Sequence, residues 1–212
     1  MTTLVSLCAF YDMDVPTSGP YPVEIKGQTR ESLPHLFRHL GFTMGAEIGV
    51  WQGRFSEQLC RANPDLRLTC VDSWMPYAGY RDHVRQDLMQ DAYEQARARL
   101  APFQTTFLTA FSYDAAKRVM DGSLDFVYID ANHGFEAVVA DLAAWAPKVR
   151  PGGIISGHDY FHAPRSHGIR VVEAVNGYTS AHDIAPFFVL GRKRVKPGEV
   201  TERERSYLWV QA

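Results

Sequence analysis

Cysteine is scarce in this chain and stands in no pattern that chemistry would use. Cys8, Cys60 and Cys70 are three in number, have apolar neighbours and form no C-x-x-C pair. Neither a disulfide framework nor a cysteine zinc site is signalled, and the expected role is that of small buried hydrophobes in a reducing compartment. A basic excess is also lacking. Lys and Arg total 22 against 24 Asp and Glu, a formal net charge of −2, so no nucleic-acid partner is expected. No apolar window approaches the length of a bilayer-spanning helix, and Met1-Thr-Thr-Leu opens no basic stretch followed by an apolar core. No membrane partner is therefore expected, and the expected location is cytoplasmic. Internal repeats and low-complexity tracts are absent.

What is present is a chain of 212 residues, 46% hydrophobic and 22% charged, enough to bury a substantial core as one large domain. From Ala46 onward short apolar runs alternate with longer amphipathic segments, the pattern of a parallel sheet covered by helices. "AEIGV", "RLTCVD", "TTFLTA", "LDFVYID" and "GGIISGHDY" read as five successive strands. Between them "GRFSEQLCRA", the stretch Tyr80 to Leu100, "SYDAAKRVM" and "FEAVVADLAAWAPKV" read as helices, and "GIRVVEAVNGY" follows as another. "PFFVLGRKR" and "SYLWVQ" are two strands without a helix between them, which predicts an antiparallel pair at one edge. Residues 1–44 fit the alternation badly. "VPTSGPYP" is rich in turn formers and "ESLPHLFRHLG" suggests a docked helix, so this segment is expected to be a lid or docking piece before a domain at 45–212.

In open α/β sheets ligands bind at the carboxyl ends of the strands, where strand order reverses. The first strand ends in Glu47-Ile-Gly49-Val-Trp-Gln-Gly53, a turn in which glycine lets the backbone approach a ligand. The second ends in Asp72-Ser73-Trp74, the third leads to Phe111-Ser112, the fourth ends in Asp130, and the fifth in His158-Asp159-Tyr160. Singly these are weak signals: two glycines also arise from helix packing, and Asp72 could cap a helix. Asp72 lies about 20 residues beyond the glycines, the separation at which a second-strand acid reaches ribose hydroxyls. Glycine turn, ribose acid and carboxylate-ended fourth strand in register are far more specific than any one of them.

The ordered stretches "EIGVWQGRFS", "CVDSW", "TAFSYDAA" and "LDFVYIDANHGFEAVVADLAAWAPKVRPGGIISGHDY" resemble the class I S-adenosylmethionine-dependent methyltransferases, and among them the small-molecule O-methyltransferase-like branch. The resemblance covers about residues 45–160. It implies a Rossmann-like α/β fold: a mostly parallel seven-stranded sheet with an antiparallel C-terminal hairpin and helices on both faces. It implies S-adenosylmethionine as cofactor, with Glu47, Gly49 and Gly53 at its methionine end, Asp72 on the ribose with Trp74 nearby, and Ser112 by the adenine. Asp130 would face the sulfonium and the acceptor. Asp130 and Asp159 are the carboxylates that would share a magnesium or calcium ion. Asn132 stands where relatives often have a second Asp, and His158-Asp159 where some have Asp-Asp, so the hard-cation site is depleted.

His133, three residues after Asp130, would border the methyl-transfer position, where an imidazole could take the proton of an acceptor hydroxyl. Its structural alternative is to cap the following helix or to contact Asp159. The expected activity is methyl transfer to a hydroxyl of a small molecule, of sugar or natural-product type. A non-catalytic cofactor- or partner-binding domain is the alternative, and a nicotinamide-dependent oxidoreductase, lacking G-x-G-x-x-G, ranks below it. The expected partner is a small-molecule acceptor, with homo-oligomerisation as a further option. Aromatics crowd the segments that would define its pocket: Phe10, Tyr11, Tyr21, Trp74, Tyr77, Tyr80, Tyr160 and Phe161.

Overall fold

The computed structural model describes residues 2–76, 85–162, 168–193, 198, 200 and 202–212. Its centre is an eight-stranded sheet: β1 (Val23–Ile25), β2 (Met44–Ile48), β3 (Arg67–Asp72), β4 (Thr105–Thr109), β5 (Leu124–Ile129), β6 (Val149–Gly157), β7 (Phe188–Leu190) and β8 (Tyr207–Val210). The spatial order is β1-β7-β8-β6-β5-β2-β3-β4. β8 alone runs against its neighbours, inserted between β6 and β7, and every other pairing is parallel.

Among the described residues seven α-helices cover the sheet: α1 (Thr3–Phe10), α2 (Leu33–His39), α3 (Arg54–Ala62), α4 (Gln86–Leu100), α5 (Ser112–Ala116), α6 (Phe135–Trp145) and α7 (Val171–Ala181). The central strand β5 shows why both faces must be covered. Phe126 and Tyr128 point into a core shared with α1 to α4, while Val127 and Ile129 point into a second core shared with α5 to α7. Successive side chains of a strand alternate between faces, so an uninterrupted apolar run implies burial on both. Cys8, Cys60 and Cys70 are free and buried, as small hydrophobes would be.

The doubly covered, mostly parallel sheet agrees with the sequence reading, with two differences of detail. An eighth strand, β1, comes from the N-terminal segment and pairs in parallel with β7, so the C-terminal hairpin is not the sheet's margin. Three residues surrounded by Pro and Gly carry no alternation pattern by which to find them. The helix expected over Tyr80 to Leu100 is described from Gln86, and residues 77–84 lie outside the described residues. Helix α1 also escaped the sequence reading, because its apolar residues do not gather on one face of the helix. Leu7 and Cys8 of α1 and Leu33, Leu36 and Phe37 of α2 nonetheless enter the first core, and Phe37 stacks on Phe126 with ring centroids 4.1 Å apart.

Candidate active site

The strand order reverses between β2 and β5, and the two loops leaving those strands touch. Asp130 donates its backbone N–H to the Ile48 carbonyl at 2.8 Å, and Gly49 donates to Val71 at 2.8 Å. Gly49 has φ +92°, and a Cβ there would lie 2.1 Å from the Asp130 carbonyl oxygen. Only glycine permits both the backbone angle and the approach. The cleft so formed is the place where an open α/β sheet takes its ligand.

Around it stand the acids that the sequence placed at strand ends. Glu47 is 2% exposed and accepts a short hydrogen bond from the Ser56 hydroxyl of α3. Burial raises its carboxyl to about 8 against the opposing pull of Ser56, with Asp130 adding to the rise, so it holds a proton at neutral pH. Asp72 accepts the backbone N–H of Trp51 on one oxygen and of Trp74 on the other, both at 2.9 Å. Trp51 and Trp74 have φ of +51° and +43°, costly for large side chains, and the Trp74 indole N–H bonds the Trp51 carbonyl at 2.9 Å. One carboxylate thus knots the loops after β2 and β3, while the Trp74 ring is buried against Tyr93 and Phe107. Ser112 accepts the Trp145 indole N–H at 2.9 Å and also bonds Asp141, whose carboxyl burial lifts to about 6.

The ends of β5 and β6 carry a denser cluster. His133 Nε2 lies 2.9 Å from Asp159 Oδ2 and 3.5 Å from Asp130 Oδ1. His158 Nδ1 lies 3.6 Å from the same Asp159 oxygen and 3.7 Å from Asp130 Oδ2. Burial by itself would pull the His133 imidazole down. The hydrogen bonds and charges of Asp130 and Asp159 outweigh it and carry the group up to about 10. His158 is raised to about 9 in the same way, through Asp159 and Glu202, and Asp159 is held well below the carboxylate range by both histidines. His133 is therefore an imidazolium in this arrangement and becomes a base only after shedding its proton, a condition that sequence reasoning did not foresee.

Asp130, His133 and Asp159 each offer one donor atom within 4.8 Å of the others, a set able to hold a metal ion. Two further members close the cluster. Arg30 Nη1 lies 3.5 Å from Asp130 Oδ2, and Glu202 Oε1 lies 3.4 Å from Arg30 Nε and 3.3 Å from His158 Nε2. Neither carries a sequence signal: one sits in a turn-rich N-terminal stretch and the other in the polar link before β8, 172 residues apart. Among the described residues, several of the aromatics expected around an acceptor pocket are engaged in packing or hydrogen bonds. Tyr11 bonds Ser32, Tyr21 packs on Phe187, and Tyr160 is buried with its hydroxyl on Asn176, while Tyr77 and Tyr80 lie outside the described residues.

A parallel sheet with one reversed strand, a glycine turn at its switch point and acids at the ends of β2, β3 and β5 make up the Rossmann-like fold of the class I methyltransferases. The chain belongs to the family described as "Methyltransferase domain", which residues 46–160 match. It is 31% identical over 143 residues to ribosomal RNA large subunit methyltransferase G of Pseudomonas putida (strain GB-1), covering 66% of this chain and 34% of that one. The chain thus spans about a third or less of the length of the curated relatives it matches. Its fold is similar to the O-methyltransferase from Bacillus cereus solved with S-adenosylhomocysteine, at TM-score 0.60 and 17% identity over 98% of this chain and 90% of that one. It is also similar to cofactor-bound Rv0187 from MTB, at TM-score 0.61 and 19% identity over 99% and 89%.

Proposed function

We propose that the protein transfers the methyl group of S-adenosylmethionine to a hydroxyl of a small molecule, at the cluster of Asp130, His133, His158 and Asp159. The observation that carries this reading is the position of that cluster, beside the glycine turn at the switch point, with a carboxylate and an imidazole on the same side. Glu47 and the Gly49 to Gly53 turn would take the methionine end of the cofactor, Asp72 the ribose and Ser112 the adenine side, with Asp130 beside the sulfonium. Bound there, S-adenosylmethionine would supply an electrophilic methyl carbon whose C–S electron pair leaves with sulfur as an acceptor oxygen attacks, and the hydroxyl proton would pass to an acceptor in the cluster. His133 serves as that acceptor once its own proton has left. A cationic sulfonium beside Asp130 favours this loss, because it competes for the charge that holds the proton.

A hydroxyl acceptor of small size is favoured over RNA by the net charge of −2, which offers no electrostatic footprint for a phosphate backbone. A divalent ion at Asp130 and Asp159 would compete with the His133 proton. A set that includes an imidazole suits manganese or zinc better than the all-oxygen preference of magnesium or calcium. The alternative of cofactor binding without transfer draws on the charged state of both imidazoles. The test is to incubate the protein with methyl-labelled S-adenosylmethionine and panels of hydroxylated small molecules or ribosomal RNA, with chelator or with manganese. Label is expected in a small molecule; label in RNA alone overturns the acceptor class, and tight cofactor binding with no labelled product favours the non-catalytic alternative.

A further inference from the structure

The cations around Asp130 are not equivalent in origin. His133 and His158 come from the loops that end β5 and β6, whereas Arg30 is delivered by the turn Arg30–Ser32 of the N-terminal segment. Its guanidinium is 34% exposed, stands 5.5 Å from the Phe55 ring of α3, and faces Asp130 Oδ2 and Glu202 Oε1 at 3.5 and 3.4 Å. Its backbone N–H donates to Glu202 Oε2 at 3.0 Å, so one carboxylate holds both the backbone and the charged head of Arg30. The neighbouring Tyr128 hydroxyl is fully buried behind it. The result is a unit positive charge held at the carboxylate that closes the switch-point cleft.

We infer that Arg30 sets the balance between the charged cofactor and its neutral product, by offsetting the Asp130 charge at the position of the sulfonium. This rests on the methyltransferase reading above. In methyl transfer the C–S electron pair returns to sulfur, so the positive charge present in the reactant is partly lost in the transition state and wholly lost in S-adenosylhomocysteine. A fixed cation nearby disfavours the sulfonium reactant more than the transition state, and so assists the step without touching the reacting atoms. Without Arg30 the cleft would be more negative and would hold the reactant more tightly. Arg30 is on this account a positioning residue acting through Asp130, and its contribution comes from a segment that the strand-end motifs do not include.

Titration calorimetry with S-adenosylmethionine and S-adenosylhomocysteine needs no acceptor and reads this directly. The quantity is the ratio of the two dissociation constants in the wild type, Arg30→Gln and Arg30→Lys, with circular dichroism and thermal melting confirming the fold. A unit charge several ångströms away at an effective dielectric of about 20 sets an upper bound of about a hundredfold, and solvent screening of the partly exposed head brings the expected shift in the ratio to about tenfold toward S-adenosylmethionine in R30Q. R30K should restore it to within about twofold of the wild type, since the charge is kept. If R30Q fails to fold, R30K and R30M supply the same contrast of charge at similar length. An unchanged ratio in the neutral variant, or an equal shift in the lysine variant, overturns the inference while leaving the methyltransferase reading intact. Wild-type protein that binds neither compound overturns that reading, and the inference with it.

Discussion

His133 and Asp159 form an ion pair, with Nε2 2.9 Å from Oδ2, across the ends of two neighbouring strands. The pair holds the residue best placed to accept a proton in its protonated form. As His133 titrates at about 10, kcat/KM, which reports the free enzyme, should climb roughly tenfold per pH unit from neutrality toward that value. The kcat profile should break at lower pH, because the bound sulfonium weakens the hold of Asp130 on the proton. His133→Ala should lose about a hundredfold or more in turnover while still binding the cofactor, with binding near neutral pH shifted toward S-adenosylmethionine because a cation 3.5 Å from Asp130 is removed. A flat profile with full turnover in the variant would move the proton acceptor elsewhere in the cluster.

Cofactor binding should itself depend on pH through Glu47. The protonated, buried carboxyl titrates at about 8, and the ammonium of a bound methionine moiety favours its ionised form. Affinity for S-adenosylmethionine should therefore rise from pH 6 toward 8, by at most roughly tenfold per unit, with release of a proton on binding. Glu47→Gln, which mimics the protonated state, should remove the Glu47 share of the slope and of the proton release, leaving only what His133 contributes. Calorimetry in buffers of differing ionisation enthalpy measures them together.

Asp72→Ala should do more than remove a ribose ligand. The Trp51 and Trp74 N–H groups would lose their acceptor, at a cost of about 1–3 kcal/mol each where water cannot replace it. Thermal melting should show the loss without any ligand, and cofactor binding should be weakened further. A variant that melts like the wild type yet binds poorly would confine Asp72 to the ribose.

Stability of the ligand-free protein should fall on the alkaline side. His133 and His158 have folded values of about 10 and 9, above the ordinary 6.5, and Glu47 has about 8, above 4.5. A raised group contributes fully below its unfolded value and loses that contribution as pH rises through the folded one. The three together should lower the melting temperature from about pH 5 to 10, and His133→Gln should flatten the upper part of the curve.

The strand ends were legible in the sequence because each joins an apolar run to a polar residue, and the run fixes the strand. Glu47, Asp72, Asp130 and Asp159 were found in this way. Trp74, which the resemblance puts near the ribose, has its ring packed on Tyr93 and its indole N–H on the Trp51 carbonyl, contacts that no local pattern announces. Arg30 and Glu202 were illegible because their meaning lies in a meeting of chain segments that no local pattern encodes. The protonation of His133 was hidden for a similar reason, since two carboxylates must converge on one imidazole before its ordinary pKa is overturned.

The three residues of β1 also act as a screen. Phe188, Val189 and Leu190 of β7 are all buried, and β1 satisfies the row of backbone groups along their outer side. An apolar strand with unpaired N–H and C=O groups templates pairing with a second chain, whereas a strand this short offers little to join. A chain shortened to begin at β2 would bare that row, and its first symptom would be self-association and loss of soluble yield.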